Sequence, residues 1–424
     1  MKCRVFGIFI VTMNCFSRRN GIVALLGLLI VWVNIQWIGL PAPATVPVLT
    51  TGALDVASTA SCVSCHRDIC KTHQATAHYL SSSPAAAGLI KGSFEPGRNR
   101  VVYNEHMEVK LEKKGDRFFQ AAYFNGRLFE RETFDVVIGS GRKGQSFLYW
   151  DSVHLFQLPI SYYTPADSWC NSPGYPTNIF DFNKPAKGQC LECHATSARM
   201  TGDAEFEKGS IVYGIDCERC HGPGAAHVAW HAAHPGEKEG REIISTRHLG
   251  RQQRLDACAL CHSGFRTEIE PAFSFQVGDT LGKFSTEGYV ADSAQTLDVH
   301  GNQYGLLTTS KCFKGAAAMD CSSCHNVHRD EFAQTALFSQ RCMSCHAPAG
   351  SAADARLRHG CSFAAVQKLR LENNCIDCHM PALPSQVILL QLTGSSRPVH
   401  DLVRTHHIGI YLDVSKEVAA RARH

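Results

Sequence analysis

CERCHGPGAAH (residues 217–227) holds two cysteines two residues apart, a histidine directly after the second, a Gly-Pro-Gly break and then another histidine. Residues at i and i+3 share one side of a helical turn, so both thiols meet a small partner from the same side and His221 turns beneath it. That spacing attaches c-type haem: each thiol adds to a porphyrin vinyl group, and the histidine becomes the proximal iron ligand. Shuffling 20 cysteines and 22 histidines through 424 residues gives roughly 0.05 copies of C-x-x-C-H. The chain has seven.

They are Cys62/Cys65/His66, Cys190/Cys193/His194, Cys217/Cys220/His221, Cys258/Cys261/His262, Cys321/Cys324/His325, Cys342/Cys345/His346 and Cys375/Cys378/His379. The spacing implies seven covalently attached c-type haems with seven proximal histidines. Structural zinc would use paired C-x-x-C half-sites and needs no histidine after every second cysteine. A thioredoxin-like redox motif would lie in a strand-helix context that these repeats lack.

The first 44 residues read as an export signal. Arg18-Arg19-Asn20 forms a basic flank, GIVALLGLLIVWV (21–33) an apolar core and Ala42-Pro43-Ala44 a small-residue cleavage site. The alternative is an uncleaved anchor over about residues 21–40, since some twenty residues suffice to cross a bilayer. Cleavage is favoured, and the expected location is periplasmic or exported, soluble in preference to inner-membrane anchored. The compartment also permits disulfides. Beyond the leader and the haem motifs four cysteines remain: Cys70, Cys170, Cys312 and Cys361. An even number favours two bridges, with Cys70–Cys170 and Cys312–Cys361 preferred among three pairings; buried free thiols are the alternative.

Charge restricts the partners. The chain has 42 lysines and arginines against 38 acids. Removing Lys2, Arg4, Arg18 and Arg19 with the leader leaves 38 against 38. Haem propionates then make the body acidic, so no nucleic acid is expected as partner, because that would need a persistent basic patch. The expected partners are periplasmic or membrane redox proteins.

Between the first and second motifs lies a long stretch without haem signals. MEVKL (107–111) alternates apolar and polar, Lys114-Gly115-Asp116 reads as a turn, FFQAAYF (118–124) follows, and Asn125-Gly126 is a hairpin signal leading into RLFERETFDVVIG. Helices are expected at AAHVAWHAAH (225–234) and RQQRLDACALCH (251–262). The resulting expectation is a mainly α and irregular multihaem cytochrome c body with a small antiparallel β insertion. Its segments are a signal peptide (or anchor) at 1–44, a first haem segment at 45–96, a β-rich insertion at 97–168, a six-haem segment at 169–412 and a tail at 413–424.

Fifteen histidines remain after the seven proximal ones, enough to supply every iron with a second ligand. Gly222-Pro223-Gly224 ends the turn after His221, and His227 opens a new face on which His231 and His234 recur. His78 is placed to close onto a haem across a helix. His328 lies too near His325 to cap the same iron and would serve a neighbour. His300 in DVHGNQYG is flanked by a glycine turn that lets backbone approach a macrocycle, and His406-His407 offers one ligand. His106, His154, His248, His359 and His400 are expected at the surface.

CHRDICKTHQATAH (65–78), CERCHGPGAAHV (217–228), DVHGNQYGLLTTSKCF (298–313), CSSCHNVH (321–328) and VRTHHIGIY (403–411) resemble bacterial multihaem c-type cytochromes related to the tetrahaem cytochrome of ammonia oxidisers. The resemblance runs over most of residues 60–412. It implies distal ligand positions at His78, His227, His300, His328 and His406. It also marks His73 as a departure, since relatives often carry an aromatic there: an additional ligand or a packing substitute. The leading functional expectation is single-electron transfer, which requires all or nearly all irons to be six-coordinate. The rival is a multihaem reductase or oxidase of a small nitrogen or sulfur compound, which needs one open iron with proton donors nearby. No C-x-x-C-K variant is present.

Overall fold

The computed structural model describes residues 57, 59–288, 297–346, 361, 374–395 and 397–423. The expected leader at 1–44 lies outside that description, as do His359 and the other residues of 347–373 apart from Cys361.

The hairpin signals after residue 106 form as expected. Met107–Lys114 pairs with Arg117–Phe124, which pairs with Arg127–Thr133; with Arg100–Val102 they make a four-stranded antiparallel sheet. Asn125 and Gly126 both take positive φ, 50° and 73°, the backbone of a type I′ turn whose twist matches the strands it joins. Alternation puts Val109, Leu111, Phe118 and Ala122 on the inner face.

A larger sheet of nine strands adjoins it. Its centre is Gly144–Asp151, paired on one side with Val136–Ile138 and on the other with His154–Gln157, while Ile160–Tyr163 pairs with its first residues and then with Ser168–Asn171. One strand with three partners curls the sheet. Phe134, Phe147, Leu158, Ile160, Trp169 and Phe182 fill the space between this sheet and the four-stranded one. The Phe134 and Phe147 rings stack 4.2 Å apart. Trp169 is fully buried, and its indole N–H donates to Ser93 O at 2.8 Å, which satisfies the one polar atom the burial would otherwise strand.

The strands continue past the expected insertion. Lys184–Pro185, Met200–Gly202, Glu205–Phe206 and, beside Val136–Ile138, Ser82–Pro84 complete the nine-stranded sheet; there are three further two-stranded sheets among the described residues, and the longest, Ala382–Leu390 with Val399–Arg404, comes after the last haem motif. The expectation of a mainly α and irregular body with a small β insertion is therefore corrected: the protein is β-rich, built on a large curled antiparallel sheet. Two physical causes account for the difference. The motif helices are short, two of them no longer than the motif itself at Cys217–His221 and Cys375–His379. Several strands have two to four residues, too few to show a period in sequence.

The longer helices fall where periodicity placed them, at Ala225–Ala233 and Arg251–His262. Three helices carry motifs in or at the end of their length: Thr59–His73, Arg251–His262 and Thr335–His346. The first leaves helical geometry at His66 (φ −109°, ψ 37°), so the motif histidine itself marks the kink. Among the described residues no helix is long and apolar enough to cross a membrane.

The candidate haem-ligating site

Two motif histidines are aimed by a hydrogen bond to backbone. His221 donates from Nδ1 to Ile244 O at 2.9 Å, and His379 to Gly409 O at 2.7 Å. His227, outside the motifs, does the same to Arg241 O at 2.6 Å. An Nδ1–H given to a carbonyl fixes the tautomer and leaves the Nε2 lone pair free for a metal. The turn after His221 is closed by Gly222 at φ 71°, a conformation that suits glycine, and this releases the chain to start the helix that carries His227.

Four motif histidines face a second imidazole. His66 and His227 have ring centroids 6.4 Å apart with planes inclined 20°. For His221 and His328 the values are 6.2 Å and 15°, for His325 and His406 6.2 Å and 28°, and for His262 and His78 6.1 Å and 79°. Two imidazoles holding one iron between them would sit about 6.2 Å apart at their centres, from two metal–nitrogen bonds of about 2.0 Å and two steps of about 1.1 Å from nitrogen to ring centre. The four separations match that distance, so the residues present fit a haem iron. A tetrahedral zinc site would need three or four converging side chains; among the described residues no such group of His, Cys, Asp or Glu exists.

Electrostatics agrees. Burial drives His78 down to about 4, with His262, His73 and His325 adding to the effect. Burial likewise takes His406 to about 4, with His325 and His262 next in effect. Burial also lowers His194, His262, His325 and His328. Each imidazole is thus neutral at neutral pH, the form that holds a lone pair for iron.

The cysteines bring the motifs together. Cys62 faces Cys217, Cys193 faces Cys261, Cys258 faces Cys321 and Cys342 faces Cys375, each pair within hydrogen-bonding reach. Among the expected attachment thiols, Cys65 departs from this inward arrangement. It is exposed, as are Cys190 and Cys345, and Ser64 Oγ donates to its sulfur at 3.7 Å. The cause is its place on the Thr59–His73 helix, where the run from Ser64 to Ile69 is exposed and burial begins only at Cys70, with His73 beyond it. Cys62 is thus turned toward a neighbouring motif and Cys65 toward the surface, so the two thiols of the first motif do not share one buried environment. Thioether formation needs a thiol that reaches a vinyl group, not a buried one, so the exposure of Cys65 does not conflict with the expected attachment.

The four additional cysteines are free thiols, so neither expected bridge forms. Cys170 is locked in the sheet with its thiol toward Ser161 O, whereas Cys70 lies beside Cys217 and Asp216. Cys312 lies near Cys324 and Cys345.

His300 has no facing imidazole among the described residues, and its Nδ1 is 3.6 Å from Asp401. Asp401 is buried, accepts a hydrogen bond from Tyr163 Oη at 2.8 Å and pairs with Lys143 Nζ at 2.7 Å. Sequence reasoning passed over this cluster, since its members come from three distant segments and match no motif. His194, His346 and His379 also have no facing imidazole among the described residues. His231 packs against His227, His234 stacks on Trp230, and His407 bonds Thr309 Oγ1 at 2.9 Å. His106 bonds Asn125 Oδ1 at 2.7 Å and His400 donates to Ser385 O at 2.7 Å, while His154 lies 3.6 Å from Glu205.

Comparison with known proteins gives three likenesses. The family model described as cytochrome c554 and c-prime matches residues 179–222, which contain the second and third motifs. The multiheme cytochrome MtrA of Shewanella baltica (strain OS185) is 25% identical over 216 residues, 47% of this chain and 54% of that protein. The chain thus spans about half the length of this curated relative. The crystal structure of the outer cell wall cytochrome OcwA superposes with a TM-score of 0.53 at 16% identity, covering 86% of this chain and 82% of that one, a likeness of fold. Together with the repeated C-x-x-C-H motif, these findings are likenesses to multihaem c-type cytochromes.

Proposed function

We propose that the protein is an exported heptahaem c-type cytochrome that passes single electrons between redox partners outside the cytoplasm. The observation that carries this reading is the set of four imidazole pairs at the spacing of a six-coordinate iron. Bound haem iron supplies a one-electron couple whose potential follows its axial ligands, hydrogen bonding and burial. The protein's own residues do the rest. His227, His78, His328 and His406 close the second face at His66, His262, His221 and His325, which keeps small molecules off those positions. The facing cysteines of neighbouring motifs support close spacing of the cofactors they would hold.

A second reading is a reductase or oxidase acting on a small nitrogen or sulfur compound. Its support is that His194, His346 and His379 lack a facing imidazole among the described residues. Electron paramagnetic resonance of the oxidised holoprotein, with spins counted against total haem, separates the two. All-low-spin iron is the expected result. A stoichiometric high-spin signal means one open iron, and nitrite, hydroxylamine and sulfur oxyanions then become the substrates to assay.

A further inference from the structure

His73 ends the helix that carries the first motif, and both of its ring nitrogens are engaged. Nε2 lies 3.0 Å from Ile215 O and Nδ1 3.3 Å from Val327 O. Both partners are backbone carbonyls, which only accept, and a neutral imidazole carries one N–H, so the ring donates to one carbonyl and lies against the other. Neither nitrogen turns a lone pair toward a metal. Its ring centre is also 6.1 Å from that of His328, at 64°, but with both nitrogens occupied this is an edge packing contact and not a ligand pair. The alternative raised by the sequence, an additional ligand at His73, is thereby set aside.

The two carbonyls belong to the backbones on either side of one imidazole pair. Ile215 precedes Asp216, whose carboxylate caps the Cys217–His221 turn by accepting from Cys217 N at 2.8 Å. Val327 is joined directly to His328. Tyr79 packs edge-on against the His73 ring at 5.9 Å. On the reading that His221 and His328 flank one iron, we propose that His73 is the positioning residue of that pair. A single buried ring spans the segment leading to one ligand and the segment leading to the other, and so holds the two imidazoles near parallel, at 15°. The relative orientation of two axial imidazoles sets the anisotropy of a low-spin ferric signal, which makes this role observable without an activity assay.

The test uses the full holoprotein as wild type, His73→Phe, His73→Gln and His328→Ala. His328→Ala identifies the signal concerned by removing it from the low-spin set. His73→Phe keeps an aromatic ring of similar size and removes both polar contacts; the expected result is an unchanged haem count, a shifted g-tensor and midpoint potential for that signal alone, and recovery in His73→Gln, whose amide keeps an N–H donor for these carbonyls. Unchanged g-values and potential in His73→Phe overturn the proposal, leaving His73 a packing residue. If His73→Phe does not accumulate as holoprotein, His73→Asn replaces it: its shorter amide cannot reach both carbonyls, and an unchanged spectrum there overturns the proposal equally. If His328→Ala removes no low-spin signal, the ligand pairing itself is wrong and the proposal falls with it, a failure distinct from that of His73.

Discussion

At the scale of single residues, ring orientation is the property that the fold imposes on otherwise similar histidines. Three of the four facing pairs are near parallel, at 15°, 20° and 28°, whereas His78 and His262 cross at 79°. The difference follows from the donors of the second imidazole. His227 comes from the helix following its neighbouring motif, and His78 from the tight turn after the Thr59–His73 helix, where Ile215 N donates to the His78 carbonyl at 2.9 Å. Parallel imidazoles give rhombic low-spin signals, and crossed ones a strongly anisotropic signal with a single large g value. The oxidised protein is expected to show both classes, with the crossed class lost in His78→Ala and the rhombic signals kept. Loss of a rhombic signal in that variant would contradict the assignment. The proximal histidines were legible in the sequence because attachment is local, five residues at fixed spacing. That same locality hides burial: nothing in C-x-x-C-H tells that Cys62 turns inward and Cys65 outward. Of the second-ligand candidates, His78, His227, His328 and His406 face motif histidines, whereas His300 has no facing imidazole among the described residues and its Nδ1 lies beside Asp401.

Among the elements, the C-terminal hairpin shows how the haem-bearing and sheet-forming parts are tied. Arg404 donates to Ile376 O and Met380 O, which fastens the hairpin to the last motif. At its other edge Gln391 N donates to Asn171 Oδ1 at 2.6 Å, and Thr393 N to Trp169 O at 3.0 Å. Asp401 is the buried centre of that attachment. Burial alone would raise its carboxyl, but hydrogen bonds from His300, Lys143 and Tyr163 outweigh it and hold the group below the usual carboxylate range. Asp401→Asn is expected to cost about 1–3 kcal/mol, the range for leaving buried polar partners poorly satisfied. Because the native carboxyl is held low, this stabilisation is complete above its unfolded value of about 3.9 and is lost as pH falls through the lower native value. Thermal unfolding followed by circular dichroism should show a lower midpoint for the variant at pH 7 and a narrowing gap as the pH is taken below about 4. A gap that stays constant with pH would deny Asp401 this role. In sequence the hairpin ALPSQVILL (382–390) was passed over, because its exposed Val387 and Leu389 break the clean alternation by which a strand declares itself.

For the whole molecule, cofactor count and processing are the quantities to measure. Intact-mass analysis of the purified protein is expected to match residues 45–424 plus seven haems, and a full reductive titration to take up seven electrons per chain on the reading from the seven motifs. A mass that includes the leader would overturn its cleavage, and a shortfall of one haem would identify a motif that is not loaded. Packing explains why sequence underestimates the sheet. Two strands that pair need not be neighbours in the chain, and Cys170 bridges to Leu392 across more than half of it. Hydrophobic alternation reveals a strand with one wet face, but Leu155, Leu158 and Ile160 are buried in short strands or their connections, where apolar residues have no regular polar partner.

The sequence by itself determined the seven C-x-x-C-H motifs, the attachment chemistry they imply and the first hairpins, because each depends on residues within a few positions of one another and on local spacing or turn geometry. Tertiary structure decided which imidazoles face, at what angle, that His73 serves two carbonyls, that the additional cysteines stay unbridged and that the body is built on a curled sheet. Those outcomes depend on where distant segments come to rest against one another, through strand register and buried hydrogen bonds, and no local spacing encodes them.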